Sequence, residues 1–411
     1  MSRRILTTLA ALAALLVLAP TASAQFGLEP PEVVSEPQPG QSPLEAASHP
    51  EALVTELSVK TELDPDSGKV VPIEEMKDLE IDFPQGLVGN PTAVPQCTTP
   101  DFLAGKKGEC DISSAVGVAE VEFGEPGKIS IFPIYNLEPA PGTAARVGFV
   151  VEDRAPVMVE ILLNPNAPNN VVARATNVSQ ALFFFRSKVT VWGNPIDPIH
   201  DSQRGICAIE GGSCPVVGVP EVAFLTLPSS CDSPLDFGFK ADSWQSPGAF
   251  VTESASAGTP EDCPGVKFDP GIAAAPTNTQ SSSPSGFDFS IDFDDPGLTD
   301  PDERAQATIR KAVVTLPAGM TLNPGAADGL AACPQAAFEA ETLATGPLCP
   351  GASKVGEVEV ETPLLEGRIQ RGSIYVATPY ENPFGTLLAL YMVIREPELG
   401  ILVRLPGKVV P

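Results

Sequence analysis

The chain has 411 residues, of which 52 are acidic and 25 basic, and its formal charge at pH 7 is −27. This negative charge repels nucleic acid and anionic membrane surfaces, which excludes both as partners. The 45 prolines and 35 glycines disfavour long helices, whereas a hydrophobic content of 43% suffices for folded cores. We therefore predict many short strands joined by turns.

The first 24 residues have the pattern of a secretory signal peptide. Arg3 and Arg4 form a basic start, an apolar run spans residues 5–18, and Ala22-Ser23-Ala24 offers small residues for cleavage. Loss of the two arginines takes the formal charge from −27 to −29. No later stretch reaches the ~20 apolar residues of a membrane-spanning helix. We expect a protein that is secreted or held at the cell surface, with no membrane insertion after cleavage.

A linker and a first module are predicted next. Residues 25–52 are rich in proline, glutamate and serine, which is typical of a flexible or extended linker. In the module, 53–165, residues 79–83 alternate apolar and acidic side chains, and Pro84-Gln85-Gly86 ends that strand. Short strands separated by such turns predict antiparallel sheets packed as a sandwich.

The rest of the chain divides in a similar way. Residues 166–270 contain further strand-like segments and form either a continuation of the first module or a middle domain. Residues 271–286, rich in Ala, Pro, Thr and Ser, predict a second linker. Residues 287–411 predict a second module. Because the first module continues well past the equivalent point, we expect the second to be truncated at Pro411.

The two modules share a cysteine-bearing phrase. In each, a valine and a glycine follow the second cysteine, as Val116-Gly117 after Cys110 and Val355-Gly356 after Cys349. An internal match of this kind indicates a repeated structural unit. It shares turns, apolar alternation and cysteines, and no polar constellation that would carry chemistry.

All eight cysteines are expected in disulfides, because an even count in an exported chain favours them. The matched phrase pairs Cys97 with Cys110 and Cys333 with Cys349. Proximity favours two further pairs, which the sequence leaves open: Cys207 with Cys214 and Cys231 with Cys263. A zinc site is not favoured, since no CxxC spacing occurs and the chain has only two histidines.

Catalytic residues are not predicted. His200-Asp201 is the one pair able to orient a general base, but the other histidine, His49, lies in the predicted linker. No Gly-x-Ser-x-Gly motif supplies a serine nucleophile. We interpret His200 as a loop residue with local hydrogen bonds, and expect no enzyme activity and no cofactor.

Two other patterns resemble binding sites. Residues 292–303 place carboxylates at positions one, three, nine and twelve and glycine at six, as in a calcium loop. Pro296 at position five and a preceding strand favour a solvated acidic turn, with calcium as the less favoured reading. Trp192, Trp244 and residues 183–185 offer a sugar-stacking face, but aromatic side chains in strands more often belong to a core.

Several phrases resemble a known group of proteins. These are Pro84-Gln85-Gly86, Val191-Trp192-Gly193, Asn177-Val-Ser-Gln-Ala-Leu182, Ala241-Asp-Ser-Trp-Gln-Ser-Pro-Gly248 and Glu381-Asn-Pro-Phe-Gly-Thr386. They resemble large secreted repeat proteins of high-GC actinobacteria, which implies export and repetition and no catalytic residue. Val314-Thr-Leu-Pro317-Ala-Gly319-Met-Thr-Leu322 is similar to the strand–LPxG–strand phrase of immunoglobulin-like repeats in bacterial surface proteins.

The sequence thus predicts an all-β protein of tandem antiparallel β-sandwich (immunoglobulin-like) modules stapled by disulfides. The predicted function is that of a secreted or cell-surface structural or adhesive repeat protein without catalytic activity. Its expected partners are cell-envelope or extracellular polymers or proteins. The alternative is an extracellular carbohydrate-binding or carbohydrate-processing protein, which an aromatic platform beside a groove would favour.

Overall fold

A computed structural model describes residues 25–104, 110–166, 169–316, 318–320, 331–365 and 368–410. The predicted signal peptide, residues 1–24, lies outside the described residues, as do Pro317 and Leu322 of the second resemblance. Strand makes up 39% and helix 11% of the structure. The prediction of an all-β, antiparallel, disulfide-bonded fold is confirmed. The prediction of immunoglobulin-like tandem sandwiches is not confirmed, because the large sheet is barrel-like.

The strands and helices of the described residues are short. In chain order the strands are β1 (Glu32–Glu36), β2 (Ala52–Ser58), β3 (Thr61–Leu63), β4 (Val70–Pro72), β5 (Met76–Asp82), β6 (Val88–Gly89), β7 (Ala115–Phe123), β8 (Ile129–Leu137), β9 (Ala145–Val151), β10 (Ala155–Leu163), β11 (Val171–Ala175), β12 (Phe184–Trp192), β13 (Leu225–Thr226), β14 (Asp236–Ser243), β15 (Val251–Ser256), β16 (Pro270–Pro276), β17 (Phe287–Phe293), β18 (Lys354–Val360), β19 (Gln370–Val376), β20 (Ala389–Glu396) and β21 (Ile401–Lys408). The α-helices are α1 (Thr99–Ala104), α2 (Cys207–Glu210) and α3 (Gln335–Ala340).

The large sheet has the order β1-β2-β12-β7-β8-β9-β10-β11-β5-β14-β15, and each neighbouring pair is antiparallel. It curls until its edge strands β1 and β15 approach each other. The enclosed core includes Leu57, Val121, Phe149, Phe237 and Phe239. Because β11, β12 and β14 lie within this sheet, residues 166–270 continue the first module and do not form a separate sheet.

The prediction of a linker over residues 25–52 is wrong, because this segment is folded onto the large sheet. β1 pairs with β2 along its whole length. Phe26, Leu28 and Val33 are buried in the core of the same sheet. Prolines and glutamates surround these few apolar residues, so the composition of the segment predicted a linker. The strand β1 is stabilised by its pairing with β2.

The prediction of a linker over residues 271–286 is also wrong. β16 begins at Pro270 and pairs with β17, so this segment supplies one strand and the turn of a hairpin. Side-chain hydrogen bonds close the turn, among them one from Asn278 Nδ2 to Ser283 Oγ at 2.9 Å. Two smaller strand pairs, β3 with β4 and β6 with β13, lie within the first module.

The C-terminal part forms a four-stranded antiparallel meander, β18-β19-β20-β21, with its own core of Cys333, Phe338, Tyr391 and Leu402. It is joined to loops of the large sheet by hydrogen bonds. The backbone N–H of Gly142 donates to the carbonyl of Glu398 at 2.8 Å. Arg404 Nη2 donates to the carbonyl of Pro165 at 3.1 Å and to Asn166 Oδ1 at 2.8 Å.

A second layer covers the other face of the large sheet. Alternate residues of β8 face opposite sides, and Ile134 lies in the enclosed core whereas Tyr135 and Leu137 belong to a separate cluster with Phe102 and Trp192. Disulfides fasten this layer and the other loops: Cys97–Cys110, Cys207–Cys214, Cys231–Cys263 and Cys333–Cys349.

Candidate functional site

His200, the candidate general base, lies in a 3₁₀ turn, Pro198–His200, that follows β12 closely in the chain. The carboxylate of Asp197 caps the turn by accepting the backbone N–H of Ile199 at 2.9 Å. The imidazole is buried and stacks on the indole of Trp192, with ring centroids 4.5 Å apart and an interplanar angle of 11°. His200 therefore closes the layer over the end of β12.

Burial decides the charge of His200. Loss of hydration lowers the pKa of the imidazole to about 4, and the nearby charge of Arg204 adds to this effect, while Asp197 and Asp201 oppose it. The ring is therefore neutral at pH 7. The Asp201 carboxylate is bound to the guanidinium of Arg204, which is its ion-pair partner. The structure thus brings His200 and Asp201 into one loop without making them an acid–base pair.

Arg204 organises this loop and was missed by the sequence reasoning. Its side chain is fully buried, and besides Asp201 it donates to the carbonyls of Pro195, Asp197 and Cys214, each at 2.9 Å. Burial of a guanidinium requires hydrogen-bond partners, and both amino groups of Arg204 have them, whereas its buried Nε has none among the described residues. Nothing in the local sequence marks this arginine, because its acceptors are mostly backbone carbonyls, which every residue carries.

A groove lies beside this loop, against β8 and β9. Its volume is about 410 Å³. The apolar wall is formed by Ile131, Pro133, Val150 and Ile209, whereas Glu152 and Asp153 supply carboxylates. Tyr135 also lines the groove, and burial raises the pKa of its phenol to about 12, so that it stays protonated. The groove is thus an apolar cleft with acidic groups at its wall, and His200 is not among the residues that line it.

The aromatic residues considered for sugar stacking do not share a face. Trp192 is buried beneath His200. Trp244 donates through Nε1 to the carbonyl of Val178 at 2.8 Å, and the Lys77 ammonium lies 5.5 Å from its ring centre. Phe184 and Phe185 are buried, and Phe183 is exposed. Most of these rings serve as core, and they form no platform beside the groove.

The acidic segment 292–303 uses its carboxylates to build a turn. Asp295 accepts the backbone N–H of Gln306 at 3.0 Å, and Asp300 accepts that of Asp302, also at 3.0 Å. Within the described ranges, no three His, Cys, Asp or Glu side chains are placed together to hold a metal ion. The calcium loop suggested by the spacing is therefore not assembled as a ligand cluster.

His49, which the sequence placed in a linker, instead joins three distant segments. Its ring is buried, with Nδ1 2.9 Å from the carbonyl of Leu225 and Nε2 2.7 Å from the carbonyl of Gly297. The hydroxyl of Thr226 lies 3.2 Å from Nδ1. These contacts tie the segment after β1 to β13 and to the turn after β17, which is a structural role.

The two disulfides of the matched phrase sit in the same local arrangement. Cys97 donates its N–H to the carbonyl of Asn136 at 2.8 Å, and its own carbonyl accepts from Glu138 at 3.0 Å. Cys333 makes the same two bonds, to Val376 at 2.7 Å and from Thr378 at 2.9 Å. Cys97 therefore forms a parallel bridge with Leu137 at the end of β8, and Cys333 forms one with Ala377 directly after β19.

The segment between the cysteines and the strand after it also correspond. A one- to two-turn helix, α1 or α3, buries one phenylalanine in each case, Phe102 or Phe338. The first strand after the second cysteine then begins with an irregular register, between Ala115 and Gly117 in β7 and between Lys354 and Gly356 in β18. The two units thus share a disulfide, a buried phenylalanine and a bulge at the start of the next strand.

Comparison with known proteins gives no match among protein-family models, curated proteins or solved structures. In the part of the chain that the structure describes, no helix has the length and apolar character needed to cross a membrane.

Proposed function

We propose that this chain is a secreted or cell-surface structural and adhesive protein without catalytic activity, built from two copies of one disulfide-stapled β unit. The observation that carries the proposal is the matched geometry around Cys97–Cys110 and Cys333–Cys349. Both pairs fasten a loop and helix onto the first two strands of a meander, at sequence separations of 13 and 16 residues. The relation of these units to immunoglobulin-like modules stays a prediction.

The polar groups that correspond between the units support a structural role. Ser114 Oγ donates to the carbonyl of Asp111 at 2.7 Å, and Ser353 Oγ donates to the carbonyl of Pro350 at 2.6 Å. Both serines are buried and close the 3₁₀ turn that leads into the bulged strand. The two units therefore share contacts that stabilise the fold, namely these serine hydrogen bonds and the disulfides.

The contacts between the units support their use as a tandem scaffold. Arg404 of β21 reaches Pro165 and Asn166 of the first unit while its other amino group donates to the carbonyl of Phe338 at 3.2 Å. One guanidinium thus ties the loop between β10 and β11, the helix α3 and the strand β21 together. These hydrogen bonds hold the two units against each other.

Export is supported by two independent features. The sequence carries a signal-like start over residues 1–24, and the structure contains four disulfides, which persist in oxidising compartments. We propose cell-envelope or extracellular polymers or proteins as the partners of the acidic surface.

The test is expression of the full chain in a secreting actinobacterial host, followed by cell fractionation and by co-sedimentation of the purified protein with envelope material. We expect the protein outside the membrane, sedimentation with the envelope, and no release of soluble sugar from it. Retention in the cytoplasm overturns the proposal. Release of soluble sugar that is lost in Glu152→Gln or Asp153→Asn favours the carbohydrate-processing alternative, because these are the carboxylates of the groove.

A further inference from the structure

The strand β18 in the second unit corresponds to β7 in the first, and the two differ in what lies beside them. β7 pairs with β8 on one side and with β12 on the other. β18 pairs with β19, and among the described residues no strand pairs with its other side. Val116 and Val121 of β7 are 0% and 2% exposed, whereas their counterparts Val355 and Val360 are 45% and 39% exposed. Val116 and Val121 are buried in the enclosed core of the first unit, whereas the matching valines of β18 are partly exposed to water.

A glycine at matched positions indicates what this edge is made for. A Cβ atom on Gly117 would lie 2.1 Å from the carbonyl oxygen of Thr190, so β12 can lie beside β7 only because residue 117 is glycine. Gly356 holds the matching position in β18. A Cβ atom there would meet only the side chain of Ile374, at an ordinary 3.5 Å. Gly356 lies at the irregular register of β18, and the absence of a side chain there leaves room for a further strand to approach as β12 approaches Gly117.

The charges along the edge specify the incoming strand. In the first unit Lys188 of β12 lies opposite Glu120, with 3.7 Å between Nζ and Oε1, and Arg186 lies opposite Glu122. The second unit places Glu359 and, one residue beyond the end of β18, Glu361 at the matching positions. Glu359 Oε1 also accepts from Arg371 Nε of β19 at 3.0 Å, in a pair that is exposed to water. Opposite charges across an antiparallel pair stabilise it, and like charges destabilise it. A second, antiparallel copy of β18 that pairs about Val358 would set Glu357 against Glu359.

We propose that the free edge of β18 binds an antiparallel peptide strand in which basic residues alternate with apolar or small ones, as in Phe184–Trp192. The basic side chains lie opposite Glu359 and Glu361, and the backbone passes over Gly356. This is β-strand addition, in which main-chain hydrogen bonds give affinity and side chains give specificity. The inference uses the correspondence of the units on which the proposed function also rests, but it concerns a binding event and does not depend on export.

The experiment uses the full oxidised chain and a synthetic peptide copying Phe184–Trp192 with blocked termini. Fluorescence anisotropy measures binding, and hydrogen exchange locates it. We expect saturable binding that slows exchange at residues 355–361. Gly356→Ala is expected to weaken binding at least about tenfold, because its methyl group meets the peptide backbone. Gly407→Ala is the matched control in the same sheet, since its Cβ lies 3.7 Å from the carbonyl of Leu390, and it is expected to bind like wild type.

A charge exchange gives a second, independent readout. The variant Glu361→Lys, which leaves the pair of Glu359 with Arg371 in place, is expected to bind the original peptide more weakly and to prefer the peptide carrying Arg186→Glu. Equal binding of both peptides by both proteins overturns the proposal, as does unchanged affinity in Gly356→Ala. Slowed exchange at β15 or β21 in place of β18 contradicts the assigned edge. A peptide-free dimer that protects residues 355–361 makes a second copy the occupant and also overturns it. None of these outcomes alters the fractionation and sedimentation results that judge the proposed function.

Discussion

The imidazole of His200 lies flat on the indole of Trp192, with ring centroids 4.5 Å apart, and this stack closes the layer on the outer face of the large sheet. Both rings are buried. The neutral imidazole therefore stabilises the fold by stacking, and its protonation lowers the free energy of unfolding.

The stability of the protein is expected to fall as the pH drops from about 6.5 to about 4. The pKa of His200 is lowered by burial to about 4 in the folded protein. In the unfolded chain it returns to an ordinary value near 6.5, so the unfolded state binds the proton first as the pH falls. The free energy of unfolding loses about 3 kcal/mol from this group across the window. His200→Phe keeps a ring on Trp192 and removes the proton, so denaturation at pH 7 and pH 4.5 measures the difference. An identical pH dependence in wild type and variant contradicts the assignment.

Arg204→Met is expected to destabilise the protein by about 3 kcal/mol or more. The substitution leaves Asp201 in a partly buried position without its ion-pair partner and removes the donor to three carbonyls. Denaturation followed by tryptophan fluorescence in a Trp244→Phe background reports directly on Trp192. Arg310→Met is the control, because the pair of Arg310 with Asp232 is exposed at the surface and contributes less than about 1 kcal/mol. Equal losses in the two variants exclude the buried role.

Gly400→Ala is expected to loosen the contact between the two units. Gly400 has a φ of +68°, and a Cβ atom there would lie 2.1 Å from the carbonyl oxygen of Gly142. Gly385→Ala is the matched control, since Gly385 has a φ of +60° and nothing within 4 Å of its Cβ position. Both variants bear the backbone strain of roughly 1–3 kcal/mol, and only Gly400→Ala adds the clash. Faster proteolysis between the units in Gly400→Ala than in Gly385→Ala is the expected result. Equal rates show that the Gly142 contact does not hold the units together.

Removal of the disulfides is expected to destabilise the protein in the order of their loop lengths. Cys231–Cys263 spans 32 residues and Cys207–Cys214 spans 7. In the chain-entropy model these loops contribute about 3.7 and about 2.4 kcal/mol, because the longer loop restricts the unfolded chain more. Paired Cys→Ala variants, compared by urea denaturation, measure the difference of about 1 kcal/mol. A reversed order shows that native contacts around the shorter loop, such as those of Arg204, outweigh the entropy of the unfolded chain.

The sequence by itself determined the local features. Alternation over residues 79–83 gave a strand because period two places one face on a core, and Pro84-Gln85-Gly86 ended it because proline removes a donor and Gly86 takes a φ of +89°. All-β architecture followed from proline and glycine content. Each of these inferences depends on residues within one short window.

Only the tertiary structure decided which strands are neighbours. β12 lies between β2 and β7, and β1 pairs with β2. Backbone donors and acceptors are the same in every strand, so the sequence does not show which strands pair. The same reason hid Arg204 and His49, whose partners are mainly backbone carbonyls: those of Arg204 lie nearby in the chain, and those of His49 lie 176 and 248 residues away. The burial of His200 likewise required the loop to fold over Trp192, so its pKa, and the open edge beside Gly356, were consequences of packing that no local pattern contained.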